Sequence, residues 1–129
     1  MSKLPAILAE KEVVELAGGR TGSCTYAGEA ARIILDLAGK KAEGIYHGVQ
    51  AGTTTWKGFA EKALQMMKTK NGKVACREIR ELPQDKIDGL KVPRPAHSPL
   101  DIAATEKILG RKIPKWEEGL GEYLKEIGW

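Results

Sequence analysis

Hydroxyl side chains and a tryptophan stand together in the middle of the chain, in the run GTTTWKGF that extends from Gly52 to Phe59. The run is typical of a glycine turn followed by threonines that lead into an amphipathic helix. Because the first backbone N–H groups of a helix lack partners within the helix, such a start can hold an anion or a sugar hydroxyl. Taken alone, the threonines favour the simpler interpretation that one of Thr53 to Thr55 is only the helix N-cap. Trp56 can either pack in the core or stack on a sugar or a base.

Two further segments carry residue types suited to a polar ligand, GSCTYA at 22–27 and RPAHSPLD at 94–101. Arg94 lies between two prolines, where the backbone is stiff, and a guanidinium held in this way suits bidentate contact with a phosphate. An ordinary surface arginine on a loop would produce the same pattern. The sequence therefore marks Arg94 as a candidate anion-binding residue and leaves both interpretations open.

No pattern in the chain predicts catalysis. None of its three tyrosines is followed four residues later by a lysine, so the Tyr-x-x-x-Lys pair of short-chain reductases is absent. His47 and His97 are the only histidines, no Ser or Cys has a nucleophile-elbow context, and the acidic residues show no metal-ligand spacing. Gly19-x-x-Gly22 matches the first half of a dinucleotide-binding fingerprint, but Thr25 occupies the next third position, which favours a simple glycine turn. We therefore predict no catalytic, metal-binding or cofactor-binding residue.

Length and composition predict one globular domain. The chain has 129 residues, 42% of them hydrophobic and 29% charged, and its net charge of +4 comes from lysines and arginines interspersed with acids. It lacks the basic stripe that binds nucleic acid, and its mild positive charge suits a small anionic ligand. Cys24 and Cys76 have no metal or redox spacing, and no apolar run approaches the ~20 residues of a membrane span. We expect a cytoplasmic protein that contacts neither nucleic acid nor membrane.

Hydrophobic periodicity predicts an α/β fold. Helices are predicted at 4–11, 26–38, 55–68, 98–110 and 115–127. Strands are predicted at 12–17, 44–49 and 74–82, with a loop at 18–22. The second helix is expected to bury the apolar face formed by Ala27, Ala30, Ala31, Ile34, Leu35 and Ala38.

Three segments taken in order resemble the C-terminal part of the dTDP-4-dehydrorhamnose reductases, which are extended short-chain dehydrogenases/reductases. The family patterns GSPTYxxDLA, GIYHxxxxGxxSW and RPxxSxLD are similar to GSCTYAGEAA, GIYHGVQAGTTTW and RPAHSPLD in this chain. The closing family pattern PxWxxxLxxYL is similar to PKWEEGLGEYL, and the similarity begins at about Glu12. The chain departs from the family at Cys24, where proline is usual, and at Gly19-Arg20, where an Asp-Gln pair is common.

The resemblance implies a fold and a role. The fold is a small mixed sheet with flanking helices, the substrate-binding part of an extended short-chain reductase without its Rossmann half, with residues 1–129 as one domain. The role is to bind a dTDP-4-dehydrorhamnose-like nucleotide sugar for an NADPH-dependent reductase of dTDP-L-rhamnose biosynthesis. The chain alone would be inactive, because NADPH and the catalytic residues belong to the other half. The residues implied to surround the sugar nucleotide are Ser23, Thr25, Tyr26, Thr54, Thr55, Trp56 and Arg94.

A second interpretation is a non-catalytic regulatory or interaction module, similar to the beta subunit of methionine adenosyltransferase, which keeps the fold to serve a partner. Under the first interpretation the ligand is a dTDP-linked sugar, and the protein partner is a separate Rossmann-fold half or a second copy of the chain. The predicted strands are too few to close a doubly wound sheet. An exposed edge or face is therefore expected.

Overall fold

The computed structural model describes residues 3–69, 73–83, 86 and 95–129. In chain order these form α1 (Leu4–Glu10), β1 (Val13–Ala17), β2 (Thr21–Gly22), α2 (Ala27–Gly39), β3 (Thr54–Thr55), α3 (Trp56–Thr69), β4 (Glu78–Leu82), β5 (His97–Ser98), α4 (Ala103–Leu109) and α5 (Trp116–Glu126). The predicted α/β class is confirmed. Helices α1, α2, α3 and α5 and strand β1 each lie within a residue or so of their predicted bounds.

Two small sheets make up the β structure of the described residues. β1 and β4 pair in parallel, with Val13 opposite Glu78 and Ala17 opposite Leu82. The other sheet has the order β3-β2-β5, and each of its strands is two residues long. β2 is the central strand, antiparallel to β3 and parallel to β5, so this sheet is mixed as predicted. It is too short to bury much surface, but it joins three segments that are far apart in the sequence.

The main core lies between β1, β4 and the helices α1, α3 and α5. α3 contributes Ala60, Ala63 and Met67, all of which are fully buried. Small side chains on this face let α3 approach α5, and the ring centroids of Phe59 and Trp116 lie 5.6 Å apart. A smaller apolar cluster joins α2 to α4 and consists of Ile33, Leu109 and Ile113. Burial of apolar surface in the two clusters is the main force that drives folding.

Gln50 is a polar side chain beside the main core, and only 2% of the residue is exposed. Its Oε1 accepts a hydrogen bond from the backbone N–H of Tyr26 at 2.9 Å, and its Nε2 donates to the carbonyl of Lys115 at 3.2 Å. Since a buried amide left unpaired costs roughly 1–3 kcal/mol, these two bonds hold the side chain in place. Gln50 therefore ties the start of α2 to the start of α5.

A buried carboxylate fixes α2 against the segment that follows α4. Glu29 is 3% exposed and forms ion pairs with Arg32 at 2.9 Å and with Arg111 at 3.1 Å. Arg111 also contacts Asp36 at 2.9 Å, and hydrogen bonds to Asp36 and to Glu29 raise the pKa of the Arg111 guanidinium. An unpaired charge at this depth would be strongly destabilising, so Glu29 depends on its arginine partners.

Two predicted strands differ from the structure. The prediction of a strand at 44–49 is wrong, because within the described residues this segment is irregular and has no strand partner. Other groups satisfy its backbone: Thr105 Oγ1, for example, donates to the carbonyl of His47 at 2.9 Å. The predicted strand at 74–82 is confined to β4, because the N–H groups of residues 75–77 bond to carbonyls in and just after α1.

The predicted helix at 98–110 begins later, at Ala103. Ser98 does not cap the helix, because its backbone pairs with Gly22 of β2 and makes it part of β5. Asp101 lies two residues before this helix and accepts a hydrogen bond from the N–H of Ala103 at 2.9 Å. Long-range strand pairing thus places in a strand residues that the local sequence pattern assigns to the helix.

The predicted loop at 18–22 and the predicted apolar face of α2 also need correction. The last two residues of that loop form β2. Ile33 of α2 is fully buried, whereas Ile34 and Leu35 are 64% and 71% exposed. The predicted face is therefore the wrong one, because Ile33 and Leu37, one helical turn apart, are the side chains that pack on the α4 cluster.

The close approach of the Gln50 amide to Gly119 of α5 yields a prediction. In the Gly119→Ala variant the new Cβ would collide with the Gln50 amide, which would have to move and lose its hydrogen bonds. We expect a net loss of about 1–3 kcal/mol in the free energy of unfolding, measured by urea denaturation.

Gly121→Ala is the matched control for this prediction. A Cβ at Gly121 meets nothing within 4 Å. Because alanine favours a helix over glycine by up to about 1 kcal/mol, the control is expected to be as stable as the parent chain or more stable. Equal stability of the Gly119→Ala and Gly121→Ala variants would contradict the role assigned to Gln50.

Candidate ligand-binding site

β2 brings three separate segments of the chain to one cavity. It pairs with β3 on one side and β5 on the other, and the N–H of Thr21 also donates to the carbonyl of Ala96 at 2.8 Å. The cavity beside this sheet has a volume of about 370 Å³. We name it the polar cavity, and its lining residues are Arg20, Thr21, Gly22, Ser23, Cys24, Thr25, Thr54, Thr55, Trp56 and Ser98.

Backbone N–H groups hold three hydroxyls of the polar cavity. The Ser23 hydroxyl oxygen accepts a hydrogen bond from the N–H of Leu100 at 3.1 Å. The Thr25 hydroxyl accepts from the N–H of Gln50 at 3.3 Å, and the Thr55 hydroxyl accepts from the N–H of Gly58 at 3.0 Å. A hydroxyl that accepts a hydrogen bond in this way keeps its own O–H hydrogen for donation. The cavity therefore offers donors at defined positions to the oxygen atoms of a ligand.

Thr55 and Trp56 stand where β3 passes into α3. The bond from the N–H of Gly58 to Thr55 Oγ1 is N-cap geometry, so the predicted cap among the threonines is confirmed. Trp56, the first residue of α3, lines the cavity and is 40% exposed. A ring placed in this way is accessible for stacking on a sugar or a base.

The polar cavity gathers five of the residues predicted to bind a ligand, namely Ser23, Thr25, Thr54, Thr55 and Trp56. Tyr26 lies elsewhere and borders a second cavity. Its O–H donates to Glu126 at 2.9 Å, and this hydrogen bond raises the pKa of the tyrosine. Arg94 lies outside the described residues.

The second cavity is apolar and has a volume of about 290 Å³. It lies among α1, α3 and α5, and its lining includes Leu4, Phe59, Trp116 and Leu120. Cys24 and Thr25 border both cavities. Burial raises the pKa of the Cys24 thiol, so this thiol is protonated at neutral pH.

Arg20 and Ser98 are among the lining residues of the polar cavity that the sequence does not mark as ligand-binding. Arg20 follows a glycine pair, and only its charge distinguishes it from other loop residues. Ser98 belongs to the RPAHSPLD segment, but local signals assign it to a helix cap. Its place in the cavity follows from the pairing of β5 with β2, which the sequence pattern does not reveal.

Neither a dinucleotide loop nor a metal cluster is formed by the residues that the structure describes. Residues 18–22 do not fit a dinucleotide-binding loop, because such a loop leads directly into a helix, whereas here β2 and residues 23–26 precede α2. No group of three or more His, Cys, Asp or Glu side chains in this part of the chain is placed to hold a metal ion. Of the helices described, none has the length and apolar character needed to cross a membrane.

The fold and the cavity define a mixed α/β domain whose candidate ligand site is built from loops, short strands and a helix start. The chain belongs to the RmlD substrate binding domain family, whose model matches residues 1–128. This match confirms the family to which the sequence motifs pointed.

The curated relatives are longer than this chain. It is similar to a dTDP-4-dehydrorhamnose reductase from Burkholderia thailandensis, with 26% identity over 92% of this chain and 43% of the relative. It is also similar to a dTDP-4-keto-6-deoxy-D-glucose reductase from Streptomyces niveus, with 29% identity over 85% of this chain and 36% of the relative. The chain thus spans less than half the length of these relatives.

Solved structures share the fold. A dTDP-4-dehydrorhamnose reductase from Bacillus anthracis, in complex with NADP, matches 98% of this chain and 43% of its own, with a TM-score of 0.78 and 26% identity. A dTDP-4-dehydrorhamnose reductase from Clostridium acetobutylicum matches 100% of this chain and 44% of its own, with a TM-score of 0.82 and 18% identity. The substrate-binding fold implied by the motifs is therefore confirmed.

The cap at Thr55 yields a second prediction. Thr55→Ala removes the acceptor for the N–H of Gly58 and is expected to lower the free energy of unfolding by about 1 kcal/mol. Thr55→Ser keeps the hydroxyl and is expected to retain most of the stability. Thermal unfolding followed by circular dichroism measures both variants, and equal midpoints for the two would show that the cap contributes nothing.

Proposed function

We propose that the chain is the nucleotide-sugar-binding portion of an NADPH-dependent dTDP-4-dehydrorhamnose reductase, an enzyme of dTDP-L-rhamnose biosynthesis. The observation that carries the proposal is the convergence on the polar cavity of Ser23, Thr25, Thr54, Thr55 and Trp56. Membership of the RmlD substrate binding domain family and similarity to the reductases named above support the same role.

The polar cavity has the chemistry that a nucleotide sugar requires. Its hydroxyls can donate to sugar and phosphate oxygens, and the Trp56 ring can stack on a sugar or a base. Its volume of about 370 Å³ lies within the roughly 300–1,000 Å³ range of small-molecule pockets. The net charge of +4 favours the approach of an anionic ligand. In this proposal Tyr26 and Arg94 remain further contacts of the ligand.

The proposal assigns the chemical step to residues outside this chain. Reduction of the 4-keto group of dTDP-6-deoxy-L-lyxo-4-hexulose requires a hydride from NADPH and a proton donor. The residues four positions after the tyrosines are Ala30, Gln50 and Ile127, so the chain has no Tyr-x-x-x-Lys pair. We therefore propose that a Rossmann-fold half binds NADPH and carries the catalytic pair, and that this chain is inactive alone.

Titration with dTDP tests the proposal. Saturable binding is expected to change the tryptophan fluorescence, because Trp56 lines the polar cavity. Trp56→Phe is the control: most of the change should disappear, while Trp116 and Trp129 still report the folded state. With NADPH and the 4-keto sugar nucleotide the purified chain is expected to consume no NADPH, and measurable turnover would contradict the proposed inactivity.

The alternative role, a regulatory or interaction module, predicts a different result in the same titration. Such a module keeps the fold to serve a protein partner and has no need of a nucleotide-sugar site. A flat fluorescence response up to millimolar dTDP would favour the module. A saturable response that is lost in the Trp56→Phe variant would favour the nucleotide-sugar-binding role.

A further inference from the structure

Arg20 stands apart from the other arginines that the structure describes. Arg32, Arg77, Arg80 and Arg111 each pair with a carboxylate. Within the described residues the Arg20 side chain has no such pair, and its Nε atom is buried without a hydrogen-bond partner. A buried N–H of a charged group is costly to leave unsatisfied, so this atom favours a partner that supplies an acceptor.

The rest of the Arg20 side chain is partly exposed, and the residue borders the polar cavity. Arg20 lies at the turn between β1 and β2 and lines the cavity together with the hydroxyls of Ser23, Thr25 and Thr55. The preceding Gly19 has a φ of 73°, in the left-handed region that glycine adopts readily. No acidic side chain is among the described residues that line the cavity. The surroundings are therefore rich in donors and suit an anion.

We infer that Arg20 binds the diphosphate of the nucleotide sugar in the polar cavity, an inference that rests on the function proposed above. A guanidinium presents several N–H donors in one plane, which matches the oxygens of a phosphate group. The hydroxyls held by backbone N–H groups supply further donors.

Isothermal titration of the folded chain with dTDP and, separately, with inorganic pyrophosphate tests the inference. Arg20→Gln is expected to weaken the binding of both ligands roughly ten- to hundredfold, since each loses charge-assisted hydrogen bonds. Arg77→Gln is the matched control, because it removes the same charge from a side chain that is 82% exposed and outside the cavity. It is expected to leave both affinities unchanged.

A second variant, Arg20→Lys, tests the inference even if Arg20→Gln does not fold. Arg20→Lys keeps the charge but lacks the planar donors, so it is expected to bind both ligands more weakly than the parent chain and more tightly than Arg20→Gln. Since Arg20 has no described side-chain partner, the thermal midpoints of both variants should match that of the parent. If Arg20→Gln does not fold, a loss of affinity in Arg20→Lys still supports the inference.

The outcomes separate this inference from the proposed function. Unchanged affinity for dTDP in folded Arg20→Gln would overturn the role of Arg20 and leave the proposed function standing. Binding of pyrophosphate that depends on Arg20, without tighter binding of dTDP, would support the anion site and contradict nucleotide recognition. Failure of the parent chain to bind either ligand would overturn both.

Discussion

A strand of two residues makes too few hydrogen bonds to be stable by itself. The position of β2 depends on β3 and β5, which pair with it on opposite sides. This double pairing joins residues near 21, 54 and 97, which are widely separated in the chain. Each bond made here closes a long loop and therefore has to offset a loss of chain entropy. The small sheet thereby brings to one cavity the segments that carry its hydroxyls.

Buried polar groups supply the specificity that such a small sheet lacks. Both the oxygen and the nitrogen of the Gln50 side-chain amide need hydrogen-bond partners. These partners lie just before α2 and just before α5. Glu29 has to remain paired with Arg111, which follows α4, and this ion pair sets the position of α2 relative to α4. Helices held by apolar contacts alone can shift against each other at little cost. A shift that leaves a buried amide or carboxylate without its partner is destabilising. These two residues therefore limit the chain to the one arrangement in which the cavity is formed.

The described groups around the polar cavity are suited to binding rather than to proton transfer. Ser23, Thr25 and Thr55 accept backbone N–H groups and can in turn donate to a ligand. Such hydroxyls suit binding and orientation, whereas proton transfer requires a group whose pKa is tuned for it. The Tyr26 hydroxyl donates to Glu126, which raises its pKa and makes its proton harder to remove. The hydroxyls of the polar cavity are thus suited to positioning a ligand, which is the role proposed above.

Local periodicity and short motifs were sufficient to predict the helices α1, α2, α3 and α5, the strand β1, the cap among the threonines and the family. These features depend on neighbours within a few residues, so the sequence by itself determined them. The tertiary structure decided which face of α2 is buried, that Ser98 lies in a strand, and that Tyr26 does not line the polar cavity. It also decided that Arg20 lines the same cavity as the hydroxyls. Each of these depends on contacts between distant segments, and such contacts leave no periodic signal in the sequence.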